Sequence, residues 1–383
     1  MFSKSIKIIF IVLVMGMISL PYIFATREEI SVSEEENRIL NQQPSFIVDG
    51  KLNVAFTYDY EDWFLDNLGF RSQLTNLYAK MQYYFFHNIF DTDFYIGKDG
   101  DTIYATSEMI TDYQHLNLRT QDKVDKIGES YQFVKDWLED KDIQFYYVQC
   151  YDKHSIYPER FMKDVNQNGN ISKTDQIIQK LKKDTDVNVI SLKDVLIDNR
   201  DKYDVFSHHG DPSHWSYRGA FLCYQQIMQE INVQNDNKFK VLQEEDYSIN
   251  ICDQGKYLKG NIHFEDYQEA FVLKGPTAQR IDPVILQQYG NDQRHSAWVN
   301  TEVENDTRVL IMGDSYINSY LLDSFAESFA ETFLVWGDYT EEMADIIEIC
   351  QPDIVIYECA ERVDRSDKIC ILAEKLQCRA ERE

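Results

Sequence analysis

Three residues of this 383-residue chain stand in settings that suit nucleophilic chemistry: Ser315, His214 and Asp211. Ser315 lies in Arg308-Val-Leu-Ile-Met-Gly-Asp-Ser-Tyr, where the apolar run Val309–Met312 reads as a strand buried on both faces. Gly313-Asp314 then supplies a sharp turn, and Leu321, Leu322, Phe325 and Phe329 continue at helical spacing. A serine at such a junction is raised to the carboxyl edge of a parallel sheet, where ligands of open α/β folds bind. Backbone N–H groups at the start of the helix are unpaired and suit an oxyanion. The same tripeptide also reads as an ordinary strand–helix turn with Asp or Ser as the cap.

A nucleophilic serine needs a base and an acid that orients the base. His208-His209-Gly210-Asp211-Pro212-Ser213-His214-Trp215-Ser216 offers both, with Asp211 and His214 three apart in one turn. A helix follows, burying Ala220, Tyr224, Ile227, Met228 and Ile231 along one face. Trp215, Tyr217 and Arg218 are near enough in sequence to flank a sugar ring, and Trp215 packed beneath the helix is the competing reading. His208 and His209 read as solvated loop residues, alternative bases or metal ligands, with no third ligand in view. Arg362, after the last apolar strand, reads as a structural ion pair or a site-facing arginine. Asp164 to Asp175 fits the twelve-residue calcium loop, with oxygen side chains at positions 1, 3, 5, 9 and 12 and Gly169 at position 6. Asp175 fits equally well as a helix cap, so Ca2+ there is a minor expectation.

Several elements must position these groups. Lys4 and Lys7 precede an apolar run from Ile8 to Ala25, about 27 Å of helix and close to a bilayer core. Residues 1–26 therefore read as a signal anchor with its N-terminus cytoplasmic, or as a signal cleaved to release a secreted body. Residues 27–119 read as a polar spacer carrying Glu34-Glu35-Glu36, then a helical extension in which Leu74, Leu77, Tyr78, Met81 and Phe85 recur at helical spacing. Phe94–Ile96 and the turn Lys98-Asp99-Gly100-Asp101 read as a strand and hairpin. The main domain is expected over 120–383, with strands and helices alternating as in an α/β sandwich and a polar, β-rich insertion at about 235–305. A formal charge of −27 disfavours nucleic acid and acidic membrane surfaces as ligands, and makes a neutral glycan easier to hold than a polyuronate. The seven cysteines include no Cys-x-x-Cys, and their odd number leaves at least one thiol unpaired in a monomer.

Gly313-Asp314-Ser315 with Asp211 and His214 resembles the SGNH hydrolases, and the order of histidine before serine resembles the SGNH-hydrolase-like proteins of alginate O-acetylation and the DHHW proteins. Further matching segments are Glu36-Asn37-Arg38, Asp66 with Phe70-Arg71, Gly97–Gly100, Ile156-Tyr157-Pro158, and Pro352-Asp353 through Glu361-Arg362. Two features depart from that family: Asp and His are three apart rather than two, and Asp101-Thr102-Ile103 stands where a tryptophan is usual. The resemblance implies a three-layer sandwich with a mainly parallel sheet, an N-terminal membrane helix and a helical extension. It also implies an extracytoplasmic polysaccharide O-acetyltransferase using Ser315 as nucleophile, His214 as base and Asp211 as orienting acid. A polysaccharide acceptor and a membrane-bound O-acyltransferase that supplies acetyl groups are the implied partners. Two other readings stand beside it: a carbohydrate acetylesterase with the same acyl-serine, and a non-catalytic glycan-binding or scaffold protein.

Overall fold

Alternate side chains of the strand Arg308–Gly313 enter opposite cores, Val309 and Ile311 one, Leu310 and Met312 the other. A strand buried on both faces needs cover on both sides, and that requirement sets the architecture. The computed structural model describes residues 4–25, 32–33, 38–48, 50–89, 94–104, 106–258, 260, 262–282 and 294–380. Its contacts divide the chain into two units, Met1–Phe90 with Leu258–Ile262, and Asp91–Tyr257 with His263–Glu383.

The second unit is built on a seven-stranded sheet. In chain order its strands are β1 (Gln144–Cys150), β2 (Asn188–Ser191), β3 (Gln279–Ile281), β4 (Ser296–Val299), β5 (Arg308–Gly313), β6 (Glu331–Trp336) and β7 (Ile354–Ala360). Their spatial order is β3-β4-β6-β5-β7-β1-β2. The pairs β6–β5, β5–β7, β7–β1 and β1–β2 are parallel, whereas β3–β4 and β4–β6 are antiparallel. The helix Tyr217–Val233, with Phe325 and Phe329, covers one face. Helices Gln121–Glu139, Lys173–Asp184, Met343–Cys350 and Ser366–Ala380 cover the other. This is the three-layer, mainly parallel sandwich that the alternating elements predict. Tyr224, Ile227, Met228 and Ile231 are wholly buried, and an apolar side chain so placed contributes about 1.5–3 kcal/mol.

The insertion differs from expectation in one respect. The sheet does not wait for β5 to resume, because β3 and β4 within residues 235–305 extend it at one edge. Tyr247–Asp253 and Tyr267–Leu273 pair antiparallel over seven residues apart from it. Residues 283–293 of the insertion lie outside the described residues, as does Glu34–Glu36 of the expected spacer. Phe94–Ile96 and Thr102–Tyr104 form the expected hairpin pairing. All seven cysteines are free, five of them buried. At the expected calcium loop, Asp175 completes a capping box with Ser172 and accepts from Lys193 Nζ at 3.0 Å.

The first unit carries the helices Lys4–Ile23, Phe56–Asn67 and Arg71–Phe86. Lys4–Ile23 is long and apolar enough to cross a membrane. The Gly69 N–H donates to Pro21 O at 2.9 Å, and Asp66 accepts from both the backbone and the side chain of Asn41.

Candidate active site

The turn that carries Ser315 is fixed from behind. A Cβ on Gly313 would stand 2.8 Å from Glu358 Oε2, so a side chain there would displace that carboxylate. Glu358 Oε2 accepts the Asp314 N–H at 2.8 Å, and Asp314 Oδ1 accepts the Tyr316 N–H at 3.1 Å as the helix cap. Asp314 Oδ2 accepts from the Ala360 N–H at 3.2 Å and from Arg365 at 3.3 Å. Asp314 is thus the cap of the turn, and Ser315 opens the helix Ser315–Tyr320 at the carboxyl end of β5.

Glu358 is fully buried; that burial first, and the Asp314 carboxylate second, push its carboxyl up to about 8. Unfolded, the same group titrates near 4.5. Between these values the folded chain holds a proton that the unfolded chain has released, so stability falls as pH rises across that window. Glu358→Gln keeps an acceptor for Asp314 and removes the titration. Its melting temperature relative to the parent should therefore climb between about pH 5 and pH 8. A difference that does not change with pH would count against a protonated Glu358.

The turn Asp211–His214 builds the other half of the site locally. Asp211 Oδ1 accepts the Ser213 N–H at 2.9 Å, which closes the turn. Asp211 Oδ2 accepts from His214 Nδ1 at 2.8 Å, so the three-residue spacing still brings carboxylate and imidazole together. With its proton on Nδ1, the ring presents Nε2 as an acceptor to the Ser315 hydroxyl, 2.7 Å away across 101 positions of sequence. Enclosure alone would raise the Asp211 carboxyl, but the bonds from His214 and Ser213 outweigh it and hold the group at about 2. His214 is 16% exposed, and its ring stands against those of Tyr316 and Tyr320 at 5.2 and 5.9 Å.

The three residues expected to flank a sugar part company. Trp215 is 1% exposed and packs edge-on against Tyr316 in the core. Arg218 is buried and held by Glu269 and Glu244, with its guanidinium over the Tyr203 and Phe271 rings. Neither side chain is placed to meet a ligand, since one is covered by its helix and the other saturated by carboxylates. Tyr217 alone of the three lines a cavity, of about 570 Å³, which it shares with Tyr320, the ring 5.9 Å from that of His214. His208 is a brace rather than a base: it bonds to Asp101 and Asp204, which raise it to about 9. That pairing also commits Asp204, whose carboxylate bonds to His208 at 2.9 Å. His209 donates its N–H to Asp266 and stacks on Phe264.

In a buried network below the serine, Arg362 forms the structural ion pair expected of it, with a partner that no motif contained. Asp152, just past the carboxyl end of β1, accepts from the Tyr316 hydroxyl at 2.8 Å, the Arg362 N–H at 2.9 Å and the Arg362 guanidinium. Arg362 also donates to the Tyr316 hydroxyl at 3.2 Å, so the residue after the nucleophile is gripped from below. Among the described residues one cluster has metal-capable side chains in reach of each other, Asp112, His154 and Glu361. Burial would lower His154, but its bond to Asp112 and the field of Glu361 and Asp152 raise it to about 9. At neutral pH a metal at this cluster would therefore have to displace a proton from the ring.

A serine at the carboxyl edge of a parallel sheet, bonded to a histidine that is bonded to a carboxylate, defines an SGNH-type α/β architecture. Residues 110–328, more than half of the chain, match the family described as the SGNH hydrolase-like domain of acetyltransferase AlgX. The chain belongs to that family. The structure of Bacillus cereus PatB1 with a sulfonyl adduct is similar at TM-score 0.51 and 16% identity, over 70% of this chain and 95% of that one. The O-acetyltransferase domain of Pseudomonas putida AlgJ is similar at TM-score 0.46 and 12% identity, over 74% and 99%. A DHHW family protein from Eubacterium siraeum gives 0.46 and 15%, over 71% and 92%. No curated protein matches the chain by sequence.

Proposed function

We propose that this chain transfers acetyl groups to hydroxyls of an extracellular or cell-wall polysaccharide through an acyl-serine. The observation that carries the reading is the hydrogen-bonded line Asp211–His214–Ser315, found in a member of an acetyltransferase family. Ser315 Oγ attacks the acyl carbon of the donor while His214 Nε2 takes its proton. Asp211 holds the imidazole in the required tautomer and balances the charge that develops. The N–H of Ser315, at the first position of its helix and outside the i→i−4 ladder, is the donor assigned to the oxyanion. The leaving group departs with the proton from His214. A sugar hydroxyl then attacks the acyl-serine, gives its proton to His214, and Ser315 Oγ recovers a proton from the same nitrogen.

Lys4 and Lys7 before the apolar helix favour a cytoplasmic N-terminus, which puts the body on the far side of the membrane. Acetyl donors are made in the cytoplasm, so a membrane-bound O-acyltransferase that passes acetyl groups across is the partner this reading requires. A membrane-impermeant sulfonyl fluoride tests chemistry and placement together, and the sulfonyl adduct of PatB1 supports the choice of probe. Intact cells should yield the adduct on Ser315, and Ser315→Ala cells should yield none. Labelling only after lysis would refute the outward placement. No labelling even after lysis would refute the activated serine.

A further inference from the structure

The cavity beside His214 carries a statement about the acceptor. Its wall nearest the triad is Tyr320, on the same short helix as Ser315, whose ring lies 5.9 Å from that of His214 and 5.1 Å from that of Tyr217. The opposite wall comes from the insertion, with Phe271 on one strand of the antiparallel pair and Trp298 on β4. A space of about 570 Å³ falls within the range of small-ligand sites.

Phe271 is stacked on Phe221 and lies under Arg218, and Trp298 lies under Arg280. Tyr217 and Tyr320 are therefore the rings on which the C–H face of a pyranose can pack, while its hydroxyls find Asn318 and Ser319. The charges narrow the choice of sugar. Three charged side chains line the cavity among the described residues: Arg280, Asp323 and Glu327. Arg280 lies over the Trp298 ring at 5.4 Å, and Glu327 is committed to Thr277 and Ala278. The count is one cation against two carboxylates, in a chain of net charge −27. A uronate would bring its own carboxylate against that wall, and an uncharged sugar would not.

We propose that this cavity is the acceptor subsite and holds an uncharged sugar unit, not a uronate, with one hydroxyl directed past Tyr320 toward His214. The proposal rests on the acyl-serine reading for its consequence but not for binding. In the transfer step the sugar oxygen bonds to the acyl carbon, the bond from that carbon to Ser315 Oγ breaks, and the hydroxyl proton passes through His214 to Ser315. Atoms and charge balance without a further reactant.

The test uses the full chain in nanodiscs, with a neutral β-glucan tetramer and an oligomannuronate tetramer as probes. On the Ser315→Ala protein the neutral tetramer should change tryptophan fluorescence through Trp298 at millimolar concentration, and the oligomannuronate should not. With a donor ester and the unmutated chain, the neutral tetramer should be acetylated at least tenfold faster. Tyr217→Ala should raise the KM for that acceptor several-fold with a much smaller change in kcat. Asp323→Lys should shift the acceptor ratio toward the oligomannuronate. Equal or better use of the oligomannuronate would overturn the proposal. So would a fluorescence response to a long-chain acyl ester and to neither sugar, which would make the cavity an acyl site. If no acyl-serine forms with any donor, the transferase reading fails while the binding result still decides the subsite.

Discussion

Ser315→Ala should lower acetyl transfer by roughly 10³- to 10⁶-fold with no change in folding, and it is the largest effect the structure leads us to expect. In the proposed mechanism the hydroxyl is the atom that takes the acyl group, and it lies 2.7 Å from His214 Nε2 at the start of the helix that follows β5. His214→Ala should cost about as much, and the double variant little more, because the two groups act on one proton. Asp211→Asn should lose roughly 10²- to 10⁴-fold, since an amide can no longer select the Nδ1–H tautomer. Transfer of labelled acetyl, with circular dichroism as the folding check, measures all four. Substantial activity in Ser315→Ala would remove the covalent mechanism. Full activity in Asp211→Asn would leave His214 without a needed partner.

The second large effect falls on stability. Asp152 is 2% exposed at its side chain and is shared by Arg362 and the Tyr316 hydroxyl. Asp152→Ala leaves a mostly buried guanidinium without its counter-charge, and such losses cost about 3–5 kcal/mol. Arg362→Leu added to Asp152→Ala should recover part of that, because the stranded charge then goes too. Denaturant unfolding of Asp152→Ala, Arg362→Leu and the double variant against the parent decides it. If the double variant is as unstable as the sum of the single ones, the pair is not the source of the loss.

Each half of the candidate site is built by a short stretch of sequence, and for that reason both halves were legible. Asp211 and His214 lie in one turn, and Ser315 closely follows a strand whose four apolar residues announce burial on both faces. The parallel sheet follows from the same kind of run in Gln144–Cys150 and Ile354–Ala360. What could not be read depends on distant partners. Arg218 looks free for a ligand until the insertion delivers Glu269, 51 positions later, to its guanidinium. Trp215 follows the histidine and so seems to face the site, yet its ring is turned inward by the bridge between Phe206 and Trp215. Asp152 and Arg362 are 210 positions apart, and nothing near either one signals the other. β3 and β4 are three and four residues long in a polar stretch, too short for periodicity to register.

The strand order bears on when this protein can fold. β1 and β2 lie beside each other, but the neighbour that closes β1 into the sheet is β7, whose Ile354 pairs with Gln144 from the far end of the chain. β5 likewise has β7 on one side, so the last strand made is the one that joins the two halves. During synthesis β1 and β2 therefore have only each other to pair with, and the other edge of β1 stays open until β7 emerges. Pairings this remote make for slow folding. Because this interior strand is made after the others, the core of the sheet closes only once residues 354–360 have joined it, and until then the unit is a chain with secondary structure but no settled shape.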